Sequence, residues 1–451
     1  MSEDQGAVKP KELPQIEELA VEVLGPATID SPLAKRDQEF TSDSQGVLVA
    51  SERRQTRSFL ESGKELPAFE AAGPRSRIFF DPSKVSCGIV TCGGLCPGLN
   101  DVIRSIILTL RNGYGVHRVL GFRYGYAGLA ARKYQDPIFL EPEMLRTAHQ
   151  QGGTLLGSSR GPQDLGEMID TLVRWKVNIL FAVGGDGTLR GARALYEEIR
   201  NRNLKISVIG IPKTIDNDLM WIERSFGFAT AVEEAQAAIT AAHTEAECAW
   251  NGIGLVILMG RHSGFFAASA SLTSGDVDFC LVPEVAFTLE GRGGLLEHLD
   301  RRMSERNHAL VVVAEGAGQS LIKEAGDSKR DASGNVKLKD IGLFLKERFA
   351  SHFFQKGLDF TIKYIDPSYM IRSLPANSMD SSFCLILGQH AVHAGLAGKT
   401  NIMIGFWNHR FTHVPLDLAV GKRKQLDPAG EVWQRVLDAT VQPSSMVGVQ
   451  P

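Results

Sequence analysis

Nothing in this 451-residue chain approaches the ~18 consecutive apolar residues that a membrane-spanning helix requires; its apolar runs, such as the one ending at Val183, are short. An excess of either charge is also missing. With 49 Lys and Arg against 52 Asp and Glu, the formal net charge is -3, so neither nucleic acid nor an anionic membrane is an expected partner. Cysteine is scarce: six residues, at 87, 92, 96, 248, 280 and 384. Cys92 and Cys96 lack a second Cys or His pair at ligand spacing, which removes a zinc site. The scatter suits free, buried thiols in a reducing compartment. The first 40 residues hold nine acidic and four basic side chains and no apolar signal core, the reverse of a transit peptide. The segment Gly448-Val449-Gln450-Pro451 is no peroxisomal address. The expected compartment is the cytoplasm.

What is present is an ordinary globular composition, 43% apolar and 22% charged, at a length that suits two or three domains. Residues 1–75 are polar, with prolines at 10, 14, 26, 32 and 67. They read as an N-terminal extension with little core of its own, either wrapping the body or a neighbouring subunit, or disordered. From Val85 short apolar runs alternate with longer amphipathic ones. Strands are expected over 87–91, 119–122, 178–183, 206–211, 254–259, 278–282, 309–314, 361–365 and 401–406. Helices are expected over 101–110, 166–175, 189–200, 230–243, 295–306, 341–353 and 381–397. Continuous apolar strands alternating with helices indicate parallel sheets buried on both faces. The fold class is therefore α/β, with two doubly wound (Rossmann-like) parallel-sheet domains, because so much alternation exceeds one sheet. The expected division is 76–235 with 375–427 as a larger domain, 236–374 as a smaller one and 428–451 as a C-terminal tail. Residues 320–340, rich in charge and glycine, read as a surface insertion.

The densest signal is Phe181-Ala182-Val183-Gly184-Gly185-Asp186-Gly187-Thr188. An apolar strand enters a glycine turn carrying one carboxylate and one hydroxyl, and helix-forming sequence follows. Glycines let backbone N–H groups approach an anion, and the helix presents its positive end. Asp186 can reach a magnesium ion, which takes a few carboxylates plus phosphate oxygens. Alone, this turn indicates a nucleotide phosphate site without naming a substrate, and an ordinary strand-to-helix turn remains open.

Its companions narrow the choice. Ligands of open α/β sheets bind beyond the carboxyl ends of strands, and there the sequence places Cys92–Asn100, Pro212-Lys213-Thr214-Ile215-Asp216-Asn217-Asp218, Gly260-Arg261-His262-Ser263-Gly264 and Glu315-Gly316-Ala317-Gly318. A shared cleft is the economical explanation. Asp216 and Asp218, two apart in an extended or turn segment, can point to one side. Facing a polyphosphate, one would accept the proton of an attacking hydroxyl and the other would help hold magnesium. Lys213 and Arg261 would neutralise developing phosphoryl charge. The competing readings are an Asx-rich turn and a surface ion pair. His262 reads as a bystander. Glu315 could accept hydrogen bonds from sugar hydroxyls or serve as an ordinary salt-bridged Glu. Residues 152–161 form a small-residue loop ending at Arg160-Gly161, and Tyr369 with Arg372 could clamp a terminal phosphate or form an ordinary amphipathic turn.

In this order, residues 91–100, 152–161, 184–188, 212–218, 259–261 and Glu315 resemble the phosphofructokinase family over about Val85 to Asp427. Residues 364–372 and the insertion Asp331-Ala332-Ser333-Gly334-Asn335 look closest to the long ATP-using enzymes of plants and trypanosomatids. The resemblance implies that Asp216 deprotonates the 1-hydroxyl of fructose 6-phosphate and that Asp186 and Asp218 serve magnesium. It implies nucleotide contacts at Gly94, Tyr126, Arg160, Gly187, Thr188 and Gly191. Sugar-phosphate contacts are implied at Thr214, Asp216, Met259, Gly260, Arg261, Glu315, Tyr369 and Arg372, with Lys213 and Arg261 neutralising the transferred group.

The phosphoryl donor is pulled two ways. The family's pyrophosphate-using members usually carry Asp where this chain has Gly187, so glycine favours ATP; Lys213 is typical of the pyrophosphate enzymes. The plant and trypanosomatid ATP branch combines both residues, as here. Short bacterial members carry a cross-subunit arginine that would fall at Gly252, and only Arg104 clearly matches their effector-site arginines, so their control is not carried over. The expected protein is a cytoplasmic homo-oligomer, tetramer favoured, that makes fructose 1,6-bisphosphate from fructose 6-phosphate and MgATP. The alternatives are the pyrophosphate-dependent reaction and a non-catalytic regulatory subunit that binds sugar phosphate. Kinases acting on NAD or lipid share the GGDGT-type turn but lack the 212–218 and 260–264 set.

Overall fold

The structure, a computed structural model, describes residues 13–130, 136–322 and 337–449. The insertion at 331–335 lies outside the described residues. Two sheets organise the chain. In order along the sequence we label the strands of both as β1 (Gly46–Leu48), β2 (Ala68–Ala71), β3 (Ser86–Thr91), β4 (Arg118–Phe122), β5 (Ile138–Phe139), β6 (Ile179–Gly184), β7 (Ser207–Pro212), β8 (Gly252–Leu258), β9 (Phe279–Leu281), β10 (His308–Ala314), β11 (Thr361–Ile365), β12 (Ile402–Trp407) and β13 (Arg410–Pro415). The nine-stranded sheet runs β1-β2-β13-β12-β7-β6-β3-β4-β5, and the four-stranded sheet runs β9-β10-β8-β11. The five central strands of the large sheet, β12 to β4, are mutually parallel, while its edges are antiparallel. The small sheet is wholly parallel.

Every residue of β3, β6, β7 and β8 is buried, as expected for strands covered on both faces. Alternation then decides which cover each side chain meets. Phe181 of β6 joins a core with Val102, Ile103 and Leu387, from helices Leu99–Leu108 and Ser378–Leu396. Its neighbours Leu180 and Ala182 face Ile169, Leu172 and Leu195, from helices Leu165–Arg174 and Asp186–Asn201. In the small sheet Val256 and Leu258 share the first of these cores, whereas Leu255 and Ile257 pack with Leu299 and Leu345 on helices Leu295–Arg306 and Ile341–Gln355.

The long helix Phe228–Glu247 carries Ala231, Ala235 and Ile239 into the core shared by both sheets. Its first turn is fixed by the fully buried Asp380, which accepts hydrogen bonds from Thr230 N and Thr230 Oγ1, each at 2.7 Å. Two terminal segments pack onto this body. The N-terminal residues add β1 and β2 to the large sheet and bury Phe69 completely. A buried ionic cluster secures them: Glu70 takes Arg75 at 2.6 Å, Lys399 at 3.0 Å and His413 at 2.9 Å. Residues beyond 428, expected as a tail, form helix Glu431–Thr440 with Trp433 buried.

Candidate active site

β6 ends where the glycine turn begins, and helix Asp186–Asn201 starts at once, with Gly185 as its cap. Gly184 is required by space: a Cβ there would lie 2.1 Å from Thr188 Oγ1. Gly187 is different, because a Cβ there would meet nothing within 4 Å. Behind the turn, the Tyr126 hydroxyl donates to Thr188 O at 2.7 Å. Its ring lies where a Cβ on Gly191 would be 2.6 Å from Tyr126 Cε2. Tyr126 and Gly191 therefore hold the turn from within; Tyr126 is only 8% exposed.

The turn after β3 lies alongside. Gly93 N donates to Ser159 O at 3.0 Å and Ser158 Oγ donates to Gly93 O at 2.6 Å, which pins the 152–161 loop to it. Lys213, buried just beyond β7, donates from Nζ to Gly94 O at 2.7 Å. Burial pulls its pKa down, the first of several opposing influences. A Cβ at Gly94 would meet Arg160 Nη2 at 2.9 Å and Arg372 Nη1 at 3.9 Å. Three cationic side chains thus converge on one glycine, a concentration of positive charge suited to an anion.

The carboxylates gather opposite. Asp216 N donates to Thr214 Oγ1 at 3.1 Å, and Thr214 Oγ1 donates to Asp218 Oδ1 at 2.9 Å. Burial pushes the pKa of Asp216 up to about 7, with the nearby charges of Asp218 and Glu315 adding to it, while the Arg261 backbone N–H and the charge of Arg372 oppose the rise. Glu315 follows β10, and its own N–H donates to Leu258 O at 2.9 Å, at the end of the neighbouring β8. Burial raises its pKa too, against the charges of Arg261 and Arg372. Met259 is buried at the same strand end, and Gly260 O accepts from Gly316 N at 3.1 Å. Tyr369 is 81% exposed, with the Arg372 guanidinium 5.1 Å from its ring centroid.

Asp186 and Asp218 face one point. Arg423 donates from Nη2 to Asp186 Oδ2 at 3.0 Å and from Nη1 to Asp218 Oδ2 at 3.1 Å. A pair of carboxylates reached by a single cation fits magnesium, which needs few protein oxygens when a polyphosphate supplies others. Among the described residues no group of three or more His, Cys, Asp or Glu side chains could hold a metal by itself.

The phosphofructokinase family profile matches residues 86–395. The ATP-dependent 6-phosphofructokinase of Borreliella burgdorferi is 50% identical over 84% of this chain and 86% of its own. The chain belongs to the phosphofructokinase family. Other members include the ATP-dependent 6-phosphofructokinase of Amycolatopsis methanolica, 46% identical over 96% of this chain and 97% of its own. The enzyme of Trypanosoma brucei brucei is 49% identical over 82% of this chain and 76% of its own. Among solved phosphofructokinase structures, the pyrophosphate-dependent protein from Marinobacter aquaeolei superimposes with a TM-score of 0.65 at 19% identity, over 80% of this chain and 92% of that one. At that identity the likeness concerns the fold.

Most residues expected at a phosphofructokinase site converge at the strand ends. Arg160, Lys213 and Arg372 meet at Gly94; Asp216 lies with Asp218, Glu315 and Arg261; Asp186 joins Asp218 through Arg423. Gly252 has a steric reason to lack the bacterial arginine, because its Cβ would fall 2.0 Å from Ala246 O. The sequence reading passed over Arg423 and Glu284. Arg423 sits in Lys422-Arg423-Lys424, a charge run that reads as a solvated surface. Glu284 Oε1 accepts from Gly264 N at 3.0 Å and Leu426 N at 2.8 Å, contacts that a lone Glu in sequence does not announce.

Proposed function

We propose that this chain transfers the γ-phosphoryl group of ATP to the 1-hydroxyl of fructose 6-phosphate, giving fructose 1,6-bisphosphate and ADP. The observation that carries the mechanism is Asp216: a carboxylate with a raised pKa, close to neutrality, between an anion-receiving end and a carboxylate-rich end. A carboxylate oxygen of Asp216 takes the proton of the sugar 1-hydroxyl as the hydroxyl oxygen attacks the γ-phosphorus and the bond to the departing ADP oxygen breaks. Lys213 and Arg261 offset charge on the transferred group. Magnesium, held by Asp186 and Asp218, would supply charge neutralisation and orientation of the polyphosphate.

Gly94, Arg160, Gly187 and Thr188 are the nucleotide side in this reading, with Tyr126 and Gly191 behind them. Thr214, Met259, Gly260, Glu315, Tyr369 and Arg372 are the sugar-phosphate side. The larger sheet would then carry the donor and the smaller sheet most of the sugar site. The open space at Gly187 and the ATP-dependent relatives support ATP as donor. The assembly in this reading is a homo-oligomer, a tetramer being favoured, and six free cysteines support a cytoplasmic setting. Among the described residues no helix is long and apolar enough to cross a membrane.

The test is fructose 1,6-bisphosphate formation by purified protein with magnesium, ATP and pyrophosphate being supplied separately. Product with ATP alone is expected. Product with pyrophosphate alone would overturn the donor assignment, and binding of fructose 6-phosphate without product from either donor would identify a regulatory subunit.

A further inference from the structure

Arg423 occupies an unusual position for a residue in a basic surface run. Its two terminal nitrogens divide between Asp186 and Asp218 at 3.0 and 3.1 Å, and the side chains are 27%, 12% and 8% exposed respectively. The backbone around it is equally engaged. Lys424 N donates to Asp218 O at 2.9 Å, and residues 219 and 423 form an isolated β-bridge. Three residues on, Leu426 N reaches Glu284, whose carboxylate also holds Gly264 N. The guanidinium is therefore delivered to the carboxylates by a segment tied down on both sides.

We propose that Arg423 is the resident counter-cation of the metal carboxylates, holding them parallel and charge-balanced until the metal–nucleotide complex displaces it. The proposal rests on the reading of Asp186 and Asp218 as magnesium ligands. Two partly buried like charges facing one point repel, and a planar fork with two donors relieves that repulsion while fixing both oxygens. The same oxygens cannot hold the fork and a divalent ion together. Arg423 thus acts as a positioning residue that penalises entry of metal alone. Arg190 also pairs with Asp186, at 3.1 Å, but is 55% exposed and does not reach Asp218 in the observed pairing; it cannot substitute for the bridge.

The experiment uses the full chain and Mn2+ as the probe, with free Mn2+ followed by its paramagnetic resonance signal. Without nucleotide, Arg423→Met is expected to bind Mn2+ roughly tenfold or more tightly than the unmodified protein, because a charge-assisted contact to each carboxylate no longer competes. Arg423→Lys keeps a charge without the fork and should fall between. An affinity in Arg423→Met equal to or weaker than that of the unmodified protein overturns the inference. If Arg423→Met does not fold, the decision passes to Arg423→Lys, for which no gain in Mn2+ affinity is the overturning result. A separate arm measures Mn2+ in the presence of ADP for Asp218→Asn. Unchanged affinity there removes the metal-ligand reading itself, whereas weakened affinity with no gain in the Arg423 variants removes only the role of Arg423.

Discussion

In the proposed reaction Asp216 carries the proton transfer, and its environment makes two opposite demands. A base has to lose its proton, yet burial and the charges of Asp218 and Glu315 favour the protonated form. In the free enzyme, kcat/KM should therefore rise with pH through about 7, a limb that a pH–rate profile would read. Stability should move the other way. Between the ordinary carboxylate range and about pH 7 the folded state keeps a proton that the unfolded chain has released, so this group's contribution falls as pH rises through that window. Denaturation midpoints at pH 5 and pH 8 should differ less in Asp216→Asn than in the unmodified protein. The same substitution should lower kcat by about 10²-fold to 10⁴-fold, with KM for fructose 6-phosphate little changed; near-normal turnover would falsify the assigned role. Gly187→Asp examines the donor side. The space there admits a side chain without protein clash, so its melting temperature should hold while KM for ATP rises about tenfold or more from a carboxylate set against phosphate.

At the scale of elements, helix Asp186–Asn201 is positioned by the ring of Tyr126 lying against Gly191. Gly191→Ala should destabilise the fold by about 1–3 kcal/mol through overpacking, as measured by urea unfolding, because the new methyl would sit 2.6 Å from a buried aromatic carbon. The sequence made the central strands readable for a physical reason: β3, β6 and β7 are short, largely apolar runs without a charged residue, and each opens into a turn whose residues do something other than pack. Helix Phe265–Ser274 escaped because Phe266, Ala267, Ala268 and Ala270 are all buried, which erases the one-sided stripe that helical periodicity depends on. β13 escaped because Arg-Phe-Thr-His-Val-Pro mixes polar and apolar residues on an antiparallel strand. The bridge at Arg423 was illegible for a different reason. Its partners stand 237 and 205 residues away, and no local pattern encodes a contact made only when distant strand ends meet.

For the whole molecule, the N-terminal residues matter more than their composition indicates. Phe69 packs edge-on to Trp407, with centroids 6.3 Å apart, and lies 5.8 Å from Trp221. Phe69→Ala should cost about 3–5 kcal/mol and change the tryptophan emission of the folded protein; a loss below about 1 kcal/mol, within the range of ordinary surface substitutions, would show that the N-terminal strands merely lie on the body. The order of strands carries one more consequence. β12 is synthesised almost last, yet it stands inside the large sheet, pairing Ile209 with Ile402 on one side and β13 on the other. While a ribosome is still making the small sheet, β7 waits with a bare hydrogen-bonding edge and an apolar surface that only the closing part of the chain can cover. A nascent chain stalled before residue 402 would keep that edge open, the kind of surface through which incomplete chains pair with one another.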